Sequence, residues 1–266
     1  MRIPPLWAAK CPAAASTTVR SRLVKILAVL FALGLWQVVA MLLGHDLLLV
    51  SPVKVLGRLA TMWLEPGFWR PIGFSFGRIA AGFFLALALG SLLAVAAGRL
   101  PLLETFLWPF VITIKTVPVA SFIIISLIWL SAGRLSSFIA FLMVFPVIYS
   151  NVLQGIKSTD VQLLELASVF RVPWRRRLPY IYLPHIRPYL ISACSVALGL
   201  CWKAGVAAEV ISIPTGSIGE MLYTAKIYLN TTDLFAWTVV IVLISVSFEK
   251  LFLWLLRLGF ERLEGR

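Results

Sequence analysis

Three ionisable residues, Lys115, Lys203 and Glu209, fall inside long apolar stretches of the chain. A charge near the centre of a lipid bilayer costs roughly 2.5–3.5 kcal/mol on insertion scales, and such residues usually face the interior of a helix bundle. A lysine there either attracts an anion, pairs with a carboxylate on another helix, or extends its ammonium group to the membrane interface. We therefore regard Lys115, Pro118, Lys203 and Glu209 as candidates for a solute path, with packing or gating as the expected role of Glu209.

No motif for catalysis accompanies these charges. The 266 residues contain two histidines, His45 and His185, and they contain neither an HExxH zinc motif nor the Gly-rich P-loop of nucleotide-binding proteins. Cys11, Cys194 and Cys201 form no CxxC pair, and the last two are predicted to be small buried residues on one helix face. The sequence therefore predicts a chain that is not an enzyme and that binds no metal and no cofactor itself.

The composition excludes most soluble proteins. Hydrophobic residues make up 61% of the chain, charged residues 13%, and the mean hydropathy is +0.96, whereas a soluble domain is about half apolar and a quarter charged. A net charge of +13 would indicate nucleic-acid binding in a soluble protein, but no separate polar domain is present to carry that function. A membrane protein with basic loops explains both observations.

Six apolar stretches are long enough to cross a bilayer, for which a helix needs roughly 20 residues. We expect Pro109 and Pro118 to interrupt the third, because proline removes a backbone donor and clashes with the preceding turn. The sequence therefore predicts an all-α polytopic membrane protein, with a first segment at 1–25, a six-helix domain at 26–256 and a tail at 257–266. The predicted spans are 26–43, 79–97, 106–130, 136–152, 188–211 and 234–256.

The basic residues are distributed unequally between the two sides of this arrangement. Six spans place both termini on one side, together with residues 153–187 between the fourth and fifth spans, which include the 157–184 loop. Of the 24 Lys and Arg residues, 16 lie on that side, six on the other and two within spans. Because Lys and Arg collect in cytoplasmic loops, we predict that both termini and the 157–184 loop are cytoplasmic.

Small residues recur at every fourth position of the second span and, more weakly, of the fifth. Residues four apart share one helix stripe, and small side chains there let two helix backbones approach closely. Chance in an Ala-rich helix is the alternative, and five positions in register favour a packing face. The residues are Gly82, Ala86, Gly90, Ala94 and Gly98 in the second span and Ala197, Cys201 and Gly205 in the fifth.

The 157–184 loop has a helical pattern of its own. Thr159 can cap a helix, and Gln162 can reach back to complete a capping box. Apolar residues then recur at helical spacing as far as Phe170, which predicts a short amphipathic helix over about 160–170. Pro173 ends this helix and could begin a second one. From physical chemistry alone, such an element either lies on anionic lipid or docks on a partner protein.

The same loop resembles the Glu-Ala-Ala loop of ATP-binding-cassette importer permeases. That signature runs Glu-Ala-Ala, three residues, Gly, nine residues, Ile, one residue and Leu-Pro. Leu166 and Arg171 depart from it, and since the family Gly supplies a flexible turn, we expect the turn here to come from Val172 and Pro173 instead. The residues that match in register are Glu165, Ala167, Ile181, Leu183 and Pro184.

Other segments are similar to permeases of the nitrate, sulfonate and taurine branch of this family. Segment 115–120 resembles the Pro-containing third span of that branch. Segment 198–209, which ends in Ala-Ala-Glu, and the later Gly-Ser-Ile-Gly at 216–219 resemble its fifth-span region. The resemblance covers residues from about 75 to 255 and leaves the first 25 uncovered.

The resemblance implies a six-span inner-membrane subunit that pairs with a second permease copy or a homologue. An extracytoplasmic binding protein would deliver nitrate, a sulfonate, taurine or a thiamine-precursor-like solute. A separate cytoplasmic ATPase, holding ATP and Mg, would grip the 157–184 loop at Phe170 and Arg171. Glu165 would stabilise a helix end or turn, Ala167 would permit close approach to the ATPase, and the arginines at 175–177 would meet acidic ATPase or lipid surfaces.

A secondary ion-coupled transporter and a membrane-embedded enzyme are the alternatives to an importer permease. A secondary ion-coupled transporter would need carboxylates near the middle of the membrane and inverted repeats. Only Glu209 is a candidate carboxylate, and no repeat is visible in the sequence. A membrane-embedded enzyme would need clustered His, Asp, Glu or Ser residues within spans, and the sequence has no such cluster.

Overall fold

A computed structural model describes residues 14–45, 47 and 49–264, and these residues form helices and connecting loops without any strand. The predicted all-α class is confirmed. A five-residue π-helical turn, Leu178–Tyr182, joins the eighth helix to the ninth. The α-helices are α1 (Ala14–Leu43), α2 (Pro52–Met62), α3 (Trp69–Arg99), α4 (Pro101–Thr116), α5 (Val119–Ser126), α6 (Ala132–Lys157), α7 (Val161–Val169), α8 (Trp174–Arg177), α9 (Leu183–Ser212), α10 (Ile218–Ile227) and α11 (Thr231–Glu264).

Five of these helices are long and apolar enough to cross a membrane, and the bent pair α4 and α5 makes six if it is counted as one span. The predicted six-span architecture agrees with this arrangement. Helix α1 begins at residue 14 and α11 runs to residue 264, so the helices continue past the predicted boundaries at 25 and 256. Residues 1–13, which include Cys11, and residues 265–266 lie outside the described part of the chain.

Helix α6 forms the centre of the protein, where it packs along most of α3 and α9. The small-residue stripe of α3 makes this contact possible, since a Cβ atom at Gly82 would lie 2.3 Å from the carbonyl oxygen of Ser137. In α9, a Cβ at Gly205 would lie 2.7 Å from Ile79 Cγ1. Both predicted packing faces are confirmed, because a methyl group at either glycine would force the helices apart. Cys194 and Cys201 are free and fully buried on the same face of α9, as predicted.

The third span is broken once, at Val117 and Pro118, where α4 and α5 meet at an angle of 102°. Val117 has an extended backbone, the conformation that a following proline imposes. The expected interruption at Pro109 is wrong, because α4 continues through that residue. The hydroxyl of Thr113 donates to the carbonyl of Pro109 at 2.8 Å, so this polar group is satisfied inside the membrane segment.

We call the two ends of the bundle the α7 end and the far end. Helices α2 and α10 lie at the far end, and the sequence analysis did not predict them. The guanidinium group of Arg58 joins α2 to the start of α11 by hydrogen bonds to Asp233, and it also bonds Glu65. These bonds, first to Asp233 and then to Glu65, raise the pKa of Arg58 above its ordinary value, so this link stays charged over the whole working pH range.

Candidate functional site

Helix α7 starts one residue later than the sequence indicated. Asp160 has an extended backbone, and its carboxylate accepts a hydrogen bond from the backbone N–H of Gln162 at 2.8 Å. Asp160 is therefore the N-cap, and the predicted capping role of Thr159 is wrong. Thr159 is 4% exposed, and its hydroxyl has no hydrogen-bond partner among the described residues. The short carboxylate of Asp160 reaches the first free amides of α7 more directly.

The end of α7 is a Schellman turn with Arg171 in the left-handed conformation, at φ +50°. The backbone N–H of Val172 bonds the carbonyl of Ala167 at 2.9 Å, and that of Arg171 bonds the carbonyl of Ser168 at 3.0 Å. Glycine is the usual residue at this position of the motif. The expectation that Val172 and Pro173 replace the missing glycine turn is wrong, because Arg171 itself adopts the glycine-like conformation.

Arg177, the last residue of α8, bonds the turn at the end of α7. Its Nε donates to the carbonyl of Val172 at 2.7 Å, and a terminal nitrogen donates to the carbonyl of Ala167 at 2.8 Å. These carbonyls lie in the turn at the end of α7, so a single half-buried side chain fixes the whole turn. The sequence analysis placed Arg177 with its neighbours at a partner or lipid surface, which is wrong for this residue. Arg176 is exposed, and the side chain of Arg175 is outside the described residues.

The outer side of α7 exposes large apolar side chains that nothing in the described chain covers. Ala167 and Glu165, for which the sequence predicts roles in this loop, differ in exposure. Ala167 is 5% exposed and faces inward, and its close approach to an ATPase stays a prediction. The carboxylate of Glu165 is exposed and makes no bond within the described chain, so it does not stabilise the turn as expected. The exposed residues, which we call the α7 surface, are Val161, Leu163, Leu166, Val169 and Phe170.

The remaining matched residues connect this element to the fifth membrane helix. Ile181 lies in the π-helical turn, and its carbonyl accepts from Nδ1 of His185 at 2.8 Å. Leu183 is the first residue of α9, and Pro184 follows in the first turn, where the missing backbone N–H costs no hydrogen bond. Ile181 and Leu183 are half-buried. The chain therefore runs from α7 through α8 and a short, continuous turn into α9.

Lys115 lies near the end of α4 and lines a pocket between α4 and α6. Its ammonium group donates to the hydroxyl of Ser150 at 2.8 Å, and no carboxylate partner is present among the described residues. Pro118, three residues later, begins the bent helix α5. The structure places Lys115 beside a polar opening and Pro118 at the bend that ends α4. Whether a solute passes these residues stays a prediction.

Lys203 lies on the one face of α9 that carries no neighbour. The side chain is exposed and has no hydrogen-bond or ion-pair partner in the described part of the chain. One turn earlier, a Cβ at Gly199 would meet nothing within 4 Å. Val196, on the same stripe, is 56% exposed. An ammonium group on an open face of a membrane helix needs water or an anion beside it.

Glu209 is completely buried, close to the far end of the bundle. Its Oε2 accepts from the hydroxyl of Ser75 on α3 at 2.6 Å, and the same hydroxyl accepts from the backbone N–H of Ile218 at 2.9 Å. A Cβ at Gly219 would lie 2.4 Å from the backbone carbon of Glu209. Glu209 therefore fastens α10 to α3 and α9, an arrangement suited to packing or gating.

No group of three or more His, Cys, Asp or Glu side chains that could hold a metal ion occurs within residues 14–45, 47 and 49–264. Among the candidate residues, Lys203 is exposed without a hydrogen-bond partner in the described chain, Lys115 bonds only the hydroxyl of Ser150, and the α7 surface is exposed.

Known proteins are similar to this chain along most of its length. The chain is 28% identical over 237 residues to the taurine transport system permease protein TauC of Escherichia coli, covering 87% of this chain and 83% of that protein. It is 28% identical over 243 residues to the nitrate import permease protein NrtB of Synechococcus elongatus, with 85% of each chain covered. SsuC of Bacillus subtilis, whose name assigns it to aliphatic sulfonate transport, is 26% identical over 216 residues, covering 80% and 78%.

These relatives confirm the resemblance to permeases of the nitrate, sulfonate and taurine branch. The family described as the binding-protein-dependent transport system inner membrane component matches residues 86–263. That match begins within α3 and includes α6, the 157–184 loop, α9 and most of α11. Since it spans more than half of the sequence, the chain belongs to this family and is a permease subunit of an importer of that kind.

Proposed function

We propose that this permease forms the membrane path of an ATP-driven importer of small oxyanions, with the α7 surface bound to a separate ATPase subunit in the cytoplasm. The observation that carries the proposal is the α7 surface itself. Phe170 is 73% exposed and Val169 is 76% exposed, at the end of a turn that Arg177 fixes from inside. A rigid element that presents apolar side chains is the form expected of a docking site.

The orientation of the permease follows from its basic residues. The α7 end carries most of the Lys and Arg residues of the chain, and the positive-inside rule assigns such an end to the cytoplasm. ATP and Mg are held by the ATPase in this proposal. The far end, with α2 and α10, then receives solute from an extracytoplasmic binding protein.

The class of solute is inferred from the relatives and from the lysines. The names of the relatives assign them to taurine, nitrate and aliphatic sulfonates, which share a compact group of oxygen atoms around nitrogen or sulfur. Lys115 and Lys203 lie in membrane helices without a carboxylate partner in the described chain, and such cations attract anions. A small solute that carries an oxyanion group is therefore the proposed cargo.

The open face of α9 supports a second permease copy or a homologue as partner. This face carries an exposed lysine, Lys203, together with the exposed Val196 and Leu200. Lipid on this face would leave the ammonium group in hydrocarbon, which is unfavourable. A second copy that encloses water between the two α9 faces would satisfy the lysine and complete a path.

Photo-crosslinking tests the docking proposal. A photoreactive amino acid replaces Phe170 in cells that also express the ATPase and binding protein of the same transport system, and the crosslinked product is identified by mass spectrometry. The matched control places the same amino acid at Phe106 of α4, which is 65% exposed and lies on a membrane helix. We expect the ATPase in the product from position 170 and lipid or no protein from position 106. The absence of the ATPase at position 170, in cells that import solute, would overturn the docking proposal.

A further inference from the structure

A pocket of about 220 Å³ lies between α4 and α6 on the α7 half of the bundle. It is lined by apolar residues, among them Trp108 and Val111, and by a larger number of polar ones. The polar lining residues are Glu104, Lys115, Tyr149, Ser150, Gln154 and Lys157. Lipid chains do not satisfy such groups, so this pocket is built for water or for a polar solute.

The charges of the pocket do not balance. Lys157 and Glu104 form an ion pair with 2.6 Å between Nζ and Oε1, at the end of the pocket nearest α7. Lys115 lies roughly 21 Å along α4 from its first residue, and its bond goes to the neutral hydroxyl of Ser150. One positive charge of the pocket therefore has no carboxylate partner among the described residues, and it attracts anions.

Tyr149 supplies a second unused group. The side chain is 4% exposed, and its hydroxyl is buried without a hydrogen-bond partner among the described residues. Leaving a buried hydroxyl unpaired costs roughly 1–3 kcal/mol, so a ligand that accepts this bond would be favoured. Ser150 is the next residue of α6 and already faces Lys115, which places an ammonium group and two hydroxyls around one pocket.

The pocket is also small. Sites for drug-sized ligands measure about 300–1,000 Å³, and this one is below that range. Such a volume suits a compact solute with few non-hydrogen atoms. An oxyanion group fits its chemistry, since the oxygen atoms accept hydrogen bonds from lysine and from hydroxyl groups at the same time.

We propose that this pocket binds the oxyanion group of the transported solute, with Lys115 as its counter-ion and Tyr149 and Ser150 as hydrogen-bond donors. The proposal rests on the importer function given above and adds to it a defined binding station between α4 and α6, on the α7 half of the bundle. Glu104 and Lys157 form the polar edge of this station. Their paired charges leave Lys115 as the group that sets the preference for anions.

Thiol reagents of opposite charge measure this preference directly. Gln154 is exposed in the pocket, so Gln154→Cys is placed in a full-length chain whose three native cysteines are changed to Ala. The purified permease then reacts with an anionic sulfonatoethyl or a cationic trimethylammonioethyl methanethiosulfonate. The rate of each reagent at position 154 is divided by its rate with a free thiol. We expect this relative rate to be higher for the sulfonate reagent than for the ammonium reagent. We expect Lys115→Met to lower the ratio of the two relative rates by roughly tenfold.

Three further variants make the result specific. Lys115→Arg keeps the charge and should retain the preference for the sulfonate reagent. Lys226→Met removes an exposed cation of α10 at the far end and should change nothing. An unchanged preference in Lys115→Met, or an equal loss in Lys226→Met, would overturn the pocket proposal. Tyr149→Phe keeps the ring and changes no charge. In this variant, added taurine or nitrate should protect the cysteine of Gln154→Cys from the reagent less well than when Tyr149 is present.

Uptake separates the pocket from the importer proposal. Vesicles that contain the permease, its ATPase and its binding protein are tested with labelled taurine and nitrate. Loss of uptake in Lys115→Met with normal ATPase binding supports the pocket, whereas uptake equal to that of the unaltered permease contradicts it. If the unaltered permease binds no ATPase and yet shows the Lys115-dependent preference, the importer proposal fails and the anion pocket stands.

Discussion

The chain turns at both ends of the bundle, and different contacts stabilise the turn after α9 and the turn after α7. At the far end, the turn after α9 is fixed from inside, because Glu209 is fully buried and reaches Ser75 and, through it, the start of α10. At the α7 end, the side chain that bonds the turn is the half-buried Arg177, and the outer side of the helix is apolar and uncovered by the described chain. The turn after α9 is therefore supported by a buried carboxylate, whereas the turn after α7 is supported by an arginine close to the surface.

At both ends, however, a helix ends at a residue other than glycine in the left-handed conformation. Helix α9 ends at Ile213 with φ +48°, and α7 ends at Arg171 with φ +50°. A proline follows shortly after each, which prevents the helix from continuing. A left-handed residue other than glycine costs roughly 1–2 kcal/mol, so each turn is held by its surroundings. The comparison shows that buried packing provides this support at one end and a single arginine provides it at the other.

The largest expected effect is at the far end, in Gly219→Ala. The added Cβ would lie 2.4 Å from the backbone carbon of Glu209, and backbone atoms of a buried helix cannot move away as a flexible side chain can. We expect a loss of about 3 kcal/mol and a fall of about 5–10 °C in the melting temperature, measured on the detergent-solubilised chain by size-exclusion chromatography after heating.

Gly199→Ala is the matched control for this substitution. It lies in α9, and its Cβ would meet nothing within 4 Å, so a stability equal to or slightly above that of the unaltered chain is expected. A melting temperature that falls as far in Gly199→Ala as in Gly219→Ala would show that the far end is not closely packed around Glu209.

A smaller and more local effect is expected at the α7 end, in Arg177→Met. This change keeps the aliphatic part of the side chain and removes the hydrogen bonds to the carbonyls of Ala167 and Val172. Bonds of this charged type contribute roughly 1.5–3 kcal/mol, and we expect about 2 kcal/mol less protection of the backbone amides at 163–172. Hydrogen exchange read by mass spectrometry measures this loss, with α3 and α9 unchanged.

Arg176→Met is the control, because Arg176 is adjacent in sequence and exposed. Equal losses of protection in the two variants would show that charge, and not the hydrogen bonds of Arg177, stabilises the turn. An effect of Arg177→Met that extended to α10 would remove the distinction between a self-contained end and an end that is fixed locally.

The sequence was sufficient for the membrane helices and for how the central ones pack. Hydropathy alone locates the long helices, and the spacing of Gly82 and its neighbours identifies the face of α3 that α6 covers. The break at Pro118 also follows from local sterics, since it acts on the preceding residue. Pro109 does not break its helix, because α4 continues through it on both sides.

Long-range pairings could not be predicted in the same way. Glu209 and Ser75 are 134 residues apart, and no periodicity connects a glutamate in one helix with a serine in another. Arg177 belongs to a run of three arginines, and its bonds to the carbonyls of Ala167 and Val172 depend on the turn at the end of α7, which no spacing in the run indicates. Helices α2 and α10 are 11 and 10 residues long, too short to register as membrane spans.

Arg171→Gly should have a small effect, which is an increase in the stability of the turn at the end of α7. Arg171→Gly relieves the left-handed conformation of a residue whose exposed side chain has no bonding partner in the described chain. Glycine gains freedom in the unfolded chain as well, which offsets part of the benefit, so we expect a net gain of about 1 kcal/mol. More protection of the amides at 163–172 in hydrogen exchange would report it. Arg171→Ala leaves the strained backbone in place and should give no gain. A gain in Arg171→Ala equal to that in Arg171→Gly would mean that the arginine side chain, rather than its backbone conformation, limits the stability of the turn.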